Sequence, residues 1–159
     1  MTPRDYSRLR FEPARDPDAA MKAFVDAAWD ALAPQGVSWI GFYFKDERTD
    51  TMTLGHRRDK PACSPIGLHG VCGRGWREQR TIIVRDVRLL GPDYVACDPR
   101  DQSEVVVPLF DRGGVCTGVL DVDSFDVGAF TEYDARELAR LLIEAGLTSP
   151  RAWDVPILI

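Results

Sequence analysis

The sequence predicts an α+β domain in which helices flank a central antiparallel sheet. Three observations carry that prediction. A helical repeat of apolar residues stands near each end of the chain, two pairs of strand-like segments lie between them, and two loops rich in Pro and Gly separate the pairs. With 159 residues the chain is of ordinary single-domain size, able to bury one core without structural staples. The reading takes residues 1–15 as a loose lead-in, 16–147 as one domain and 148–159 as a tail.

The first helix follows from Asp16 as N-cap and Pro17 in the first helical position. Met21, Phe24, Val25, Ala28, Trp29 and Leu32 then repeat at helical spacing until Pro34 and Gly36. VSWIGFYF and TMTLGHRR, joined by the polar DERTD, read as a hairpin. KPACSPIGLHGVCGRGW opens as a loop, and its end, GVCGRGWREQ, is compatible with a short helix. TIIVRDV reads as a strand and RLLGPDYVACDPRDQS as a second long loop. EVVVPLF, DRGG and VCTGVLDVDS form a second hairpin in which Pro108 marks an edge or a bulge. The last helix starts near Thr131, where T-E-Y-D resembles a capping box, and carries Leu138, Leu141, Leu142 and Ala145 on one face.

Composition narrows the function. Apolar residues make up 45% of the chain and charged residues 28%, with no apolar run of the roughly 18 residues a membrane helix needs. The first residues, MTPRDYSRLRFEPARDPD, lack a signal-peptide core, so a cytoplasmic, thiol-reducing setting is expected. A net charge of −5 without a basic run argues against nucleic acid or an anionic membrane as partner and points to a small ligand.

Four cysteines remain to be placed in that reducing setting: Cys63, Cys72, Cys97 and Cys116. Cys116, between Val115 and Thr117 in a strand, fits plain burial. The other three sit in loops beside Pro, Gly and Asp, which suits free core thiols less well than chemistry. His69 lies between Cys63 and Cys72, but C-x5-H-x2-C is not a recognised zinc spacing, and the reading includes neither metal nor cofactor.

Asp121 and Asp123 alternate with Leu120 and Val122, so both carboxylates project from one face of a strand, and Glu104 on the partner strand can reach that face. Clustered carboxylates repel, which holds at least one in its protonated form. A solvated outer strand face would show the same alternation. Trp39 and Tyr43 are four residues apart on one face of the first strand, with Gly41 between them leaving space above the sheet. That floor suits a small apolar group with a polar end, and equally suits core packing.

In this order WIGFY, KPAC, GVCG, ACD, SEVVVPL and GVLDVDS resemble the free methionine-(R)-sulfoxide reductases, which are built on the GAF domain. The resemblance runs from about Val37 to the C-terminal helix. It implies that Cys97 attacks the sulfoxide sulfur and becomes a sulfenic acid, that Cys63 resolves it as a disulfide with Cys72 as a second resolving thiol, and that thioredoxin resets the enzyme. It also implies that Glu104, Asp121 and Asp123 surround the substrate's oxygen and amino group while Trp39 and Tyr43 enclose its S-methyl end. The connection SPIGLH is shorter than the family's, the approach to Cys97 is longer, and Cys116 is extra. A homodimer is compatible with this fold. The reading from another class is a GAF module that senses a small ligand or redox state without turnover.

Overall fold

The computed structural model describes residues 2–94 and 97–159. Residue 96, the alanine of the ACD motif, lies outside them. Helix α1 (Pro17–Leu32) begins as its sequence requires: the Asp16 carboxylate accepts the Asp18 N–H at 3.0 Å, and Pro17 fills the first turn. Gly36, at φ +98°, turns the chain out of the following single helical turn.

Strands β1 (Trp39–Lys45) and β2 (Thr51–Arg58) form the first hairpin, and β3 (Ile66–Gly67) adds two residues beyond β2. Helix α2 (Val71–Glu78) leads to β4 (Ile82–Val84), and β5 (Ser103–Phe110) and β6 (Cys116–Ser124) make the second hairpin. Helix α3 (Glu132–Glu144) opens on the expected capping box, in which the Thr131 N–H donates to Asp134 Oδ2 at 2.9 Å. The sheet runs β3-β2-β1-β6-β5-β4-β7, where β7 is Ile157–Leu158. All neighbours are antiparallel except β4 and β7, which makes the sheet mixed at that edge.

The period of two along the strands sorts their side chains onto two faces. Ile40, Phe42, Val105, Val107, Leu120 and Val122 meet Phe24 and Leu32 of α1 and Leu138 and Leu141 of α3 in the larger core. Trp39, Tyr43, Val106 and Val119 point the other way, toward α2, and build a smaller core with Ile82, Val84, Val71 and Cys72. Burying one side chain of this size stabilises by roughly 1.5–3 kcal/mol, so the helix-covered face anchors the fold while the α2 face is left shallow enough to form a cleft.

Two expectations need correction, and a third, the edge or bulge at Pro108, is narrowed to the second alternative. The lead-in is not loose: Tyr6 and Leu9 are buried, and the Tyr6 hydroxyl and Arg4 guanidinium donate to Asp134 Oδ1 at 2.6 and 2.7 Å. The strand expected of TIIVRDV stops at Val84, because Asp86 caps a single helical turn by accepting the Arg88 N–H at 3.0 Å. Pro108 is not on an edge strand; β5 lies inside the sheet. Pro108 sits beyond the end of β4, which pairs only as far as Val106, and next to the register shift at Leu109/Phe110. Among the described residues no helix is long and apolar enough to cross a membrane.

Candidate active site

The register of three strands places the site. Trp39, Asp123 and Glu104 form one row across β1, β6 and β5, and Gly41, Asp121 and Val106 form the next. All their side chains belong to the face toward α2, and together with the start of α2 and the two cysteine loops they enclose a cleft of about 570 Å³, mouth included. Trp39, Tyr43, Cys72, Cys97, Glu104, Asp121 and Asp123 all line it. Cys63 does not line it but is joined to Cys97 in a disulfide, with Cα atoms 5.6 Å apart across a sequence separation of 34.

Both bonded cysteines are exposed, whereas Cys72 and Cys116 are free and buried. Cys116 faces the larger core, as its place in a strand suggested. Cys72, in the first turn of α2, lines the cleft together with Asp121. Burial first, and then the negative charges of Asp121 and Glu104, push its thiol well above the ordinary range. A thiol in that environment stays protonated and is a weak nucleophile. The structure pairs Cys97 with Cys63 and leaves Cys72 unpaired among the acids.

The three acids offer one oxygen each within 4.8 Å of one another. Burial is the first cause of their raised pKa values. Asp123 adds to the shift of Glu104, Glu104 to that of Asp121, and Asp121 to that of Asp123. Glu104 is raised to about 8. Such a trio cannot lose every proton near neutrality. It therefore holds a proton donor, and Asp121 Oδ1 is buried with no hydrogen-bond partner. Among the described residues this is the one group with the spacing to ligate a metal ion, and its oxygens would equally receive an ammonium group. His69 is exposed and does not line the cleft.

The aromatic floor differs from the expectation in one respect. The space over Gly41 is filled by the indole of Trp39: a Cβ at Gly41 would collide with that ring and come within 2.9 Å of Arg57 Cβ. The glycine serves to let Trp39 lie flat, with its ring 6.0 Å from that of Tyr43. Trp39 Nε1 donates to the Lys60 carbonyl at 3.3 Å and Tyr43 donates its hydroxyl to the Cys63 carbonyl at 2.8 Å, so both aromatics hold the loop that carries Cys63.

Four lining residues with polar side chains escaped the sequence reading: Lys60, Tyr94, Asp98 and Asp101. The Lys60 ammonium bonds Asp98 at 2.8 Å and Asp101 at 2.9 Å, and Asp98 also receives Arg100 at 2.9 Å. Hydrogen bonds from Arg100 and Lys60 hold the Asp98 carboxyl far below its usual range. The lysine of KPAC and the aspartate of ACD were visible signals, but each was read only for its cysteine. Burial and the charge of Glu104 raise the Tyr94 phenol, which stays protonated at the cleft wall.

The family model for the GAF domain matches residues 14–147. The chain is 38% identical over 105 residues to "GAF domain-containing protein A" of Dictyostelium discoideum, covering 65% of each chain. It is 36% identical over 116 residues to the free methionine-R-sulfoxide reductase of Saccharomyces cerevisiae, covering 72% of this chain and 63% of that protein. The chain thus spans just under two thirds of the length of these two curated relatives. Among solved structures it is similar to the free methionine-R-sulfoxide reductase of Neisseria meningitidis in complex with its substrate, with a TM-score of 0.75 and 34% identity, covering 87% of this chain and 78% of that one.

Proposed function

The chain belongs to the GAF domain family, and on that fold we propose that it reduces free L-methionine-(R)-S-oxide to L-methionine. The observation that carries this reading is Cys97 lining a cleft whose floor holds three clustered carboxyls that cannot all ionise near neutrality, while its sulfur is paired with Cys63 outside the lining. The relatives named above supply the substrate class. Sulfoxide oxygen is a poor leaving group until protonated, and a carboxylic acid that keeps its proton near neutrality is the group able to protonate it.

In the reduced enzyme the Cys97 thiolate attacks the sulfoxide sulfur as an acid of the trio protonates the oxygen. The oxygen passes to Cys97, methionine leaves with both electrons on its sulfur, and Cys97 becomes a sulfenic acid. Cys63 then attacks the Cys97 sulfur; the S–O bond breaks, water departs with the Cys63 proton, and the disulfide forms. Thioredoxin or a comparable dithiol returns two electrons and two protons. The carboxyl oxygens of the trio hold the amino acid's ammonium group, and Trp39 with Tyr43 receives its S-methyl end.

Recognition of a free ammonium group also accounts for selectivity. A methionine inside a protein presents a neutral amide and flanking chain, so peptide-bound sulfoxide is a poor substrate for this cleft. The test is consumption of each sulfur epimer of free methionine sulfoxide by wild type and Cys97→Ser, with thioredoxin and with a chemical dithiol. Loss of the R epimer alone, abolished by the substitution, is expected. Consumption of neither epimer under either reductant overturns the reading in favour of a ligand-sensing GAF module.

A further inference from the structure

The proposed chemistry leaves three charged cleft residues without a part, Lys60, Asp98 and Asp101, and among the described residues Lys60 is the only Lys or Arg in the lining. Its side chain is 18% exposed, and those of its partners Asp98 and Asp101 are 9% and 7% exposed. These ion pairs are sheltered, unlike the solvated surface pairs that contribute little. Lys60 lies on the segment that runs into Cys63, and Asp98 follows Cys97 directly. The ion pair therefore spans the same two loops as the disulfide, through contacts that do not depend on the sulfur–sulfur bond.

Both halves of this bridge are fixed to the body of the protein. The Lys60 carbonyl accepts Trp39 Nε1 from β1, and its ammonium also stands 4.6 Å from the Phe125 ring centroid, just past β6. Asp98 is fastened to Arg100, whose guanidinium lies 4.7 Å from the same ring. Asp101 accepts the Ser38 hydroxyl at 2.9 Å at the entry to β1. The charges balance, two acids against Lys60 and Arg100, so none of the four is left buried without a counter-ion.

We propose that Lys60 is a positioning residue of the redox cycle: its bridge to Asp98 and Asp101 keeps the Cys63 and Cys97 loops in register while both sulfurs are unbonded, and so sets how readily the disulfide closes. The inference rests on the reductase reading for the existence of a cycle. The step it governs is attack of the Cys63 thiol on the Cys97 sulfenic acid, with one S–S bond formed, one S–O bond broken and one water released. Closure needs the two Cα atoms within about 7 Å. Two tethered loops meet far more often than two free ones, because tethering raises the effective concentration of one thiol at the other.

The experiment uses thiol exchange alone, so it gives an answer whether or not the protein consumes methionine sulfoxide, which the epimer assay scores separately. Reduced wild type, Lys60→Met, Lys60→Arg and Asp98→Asn are equilibrated in glutathione redox buffers. There one protein dithiol and one oxidised glutathione give the protein disulfide and two glutathiones. The Cys63–Cys97 bond is quantified by alkylation and peptide mass. The closure constant is expected to fall tenfold or more in Lys60→Met, about threefold in Asp98→Asn, and less than threefold in Lys60→Arg, which keeps the cation. Circular dichroism identifies any variant that fails to fold, and Asp98→Asn then decides in place of Lys60→Met. Closure constants within twofold of wild type in folded Lys60→Met, or in Asp98→Asn where that variant decides, overturn the proposal.

Discussion

Tyr43 donates its hydroxyl to the backbone carbonyl of Cys63 at 2.8 Å, so a strand of the cleft floor directly holds one half of the disulfide. The phenol keeps its proton because burial, and then the acidic neighbour Asp121, push it upward. Tyr43→Phe removes this bond with little change of shape. An intramolecular hydrogen bond is worth about 1 kcal/mol net, which for a chain of this size lowers Tm by roughly 2–4 °C. Calorimetry should record that loss, and unchanged Tm would show that the bond adds nothing to stability.

Glu104 gives the fold a pH dependence of unusual sign for a carboxyl. Its pKa rises from 4.5 to about 8 on folding, chiefly through burial. A group that binds its proton more tightly when folded stabilises fully below its unfolded pKa, and that contribution is lost as pH rises through the folded value. Wild type should therefore lose stability between pH 5 and 9. Glu104→Gln, which cannot ionise, should flatten that slope and be the more stable protein at pH 9 by at least ~1 kcal/mol, each pKa unit being worth about 1.4 kcal/mol. The same variant should lose reductase activity. Parallel denaturation curves for the two proteins across this range would contradict the raised pKa.

The cysteines should separate by reactivity. In the reduced protein at neutral pH, iodoacetamide should label Cys63 and Cys97 first, because both are exposed, and Cys72 much more slowly, because its thiol is buried and raised beside Asp121. Peptide mass mapping over time gives the order. Equal labelling of Cys72 and Cys97 would support Cys72 as a second resolving thiol.

Gly41→Ala tests the aromatic floor. The added Cβ would displace the Trp39 ring from its seat on the strand. The substitution should raise KM for methionine sulfoxide on the order of tenfold, which is about 1.4 kcal/mol, with the tryptophan fluorescence shifted. A KM within twofold of wild type would mean that Trp39 does not shape the substrate's seat.

How much of this was legible before the structure depends on the range of the signal. Alternation along LDVDS put Asp121 and Asp123 on one face, and the hairpin brought Glu104 opposite Asp123, because strand periodicity is a local rule. The rotamer of Trp39 is not a local rule, so the space over Gly41 was misread. Tyr6 was missed for a similar reason: its partner Asp134 lies 128 residues away, and no spacing announces it. Lys60 and Asp98 likewise meet through folded loops that carry no period. The short β7 fell below the length at which a strand pattern can be recognised.

That short strand has a further bearing on solubility. The sheet would otherwise end at β4, whose Ile-Ile-Val backbone would offer open donors and acceptors to any passing extended chain. Ile157 and Leu158 lie along it instead, the Ile159 N–H donates to Ile83, and the Ile159 carbonyl receives the Arg85 N–H at 2.9 Å. The segment acts as a hem sewn over a raw edge. A molecule that lost it would expose a template for cross-strand aggregation at the margin of the very core that underlies its cleft.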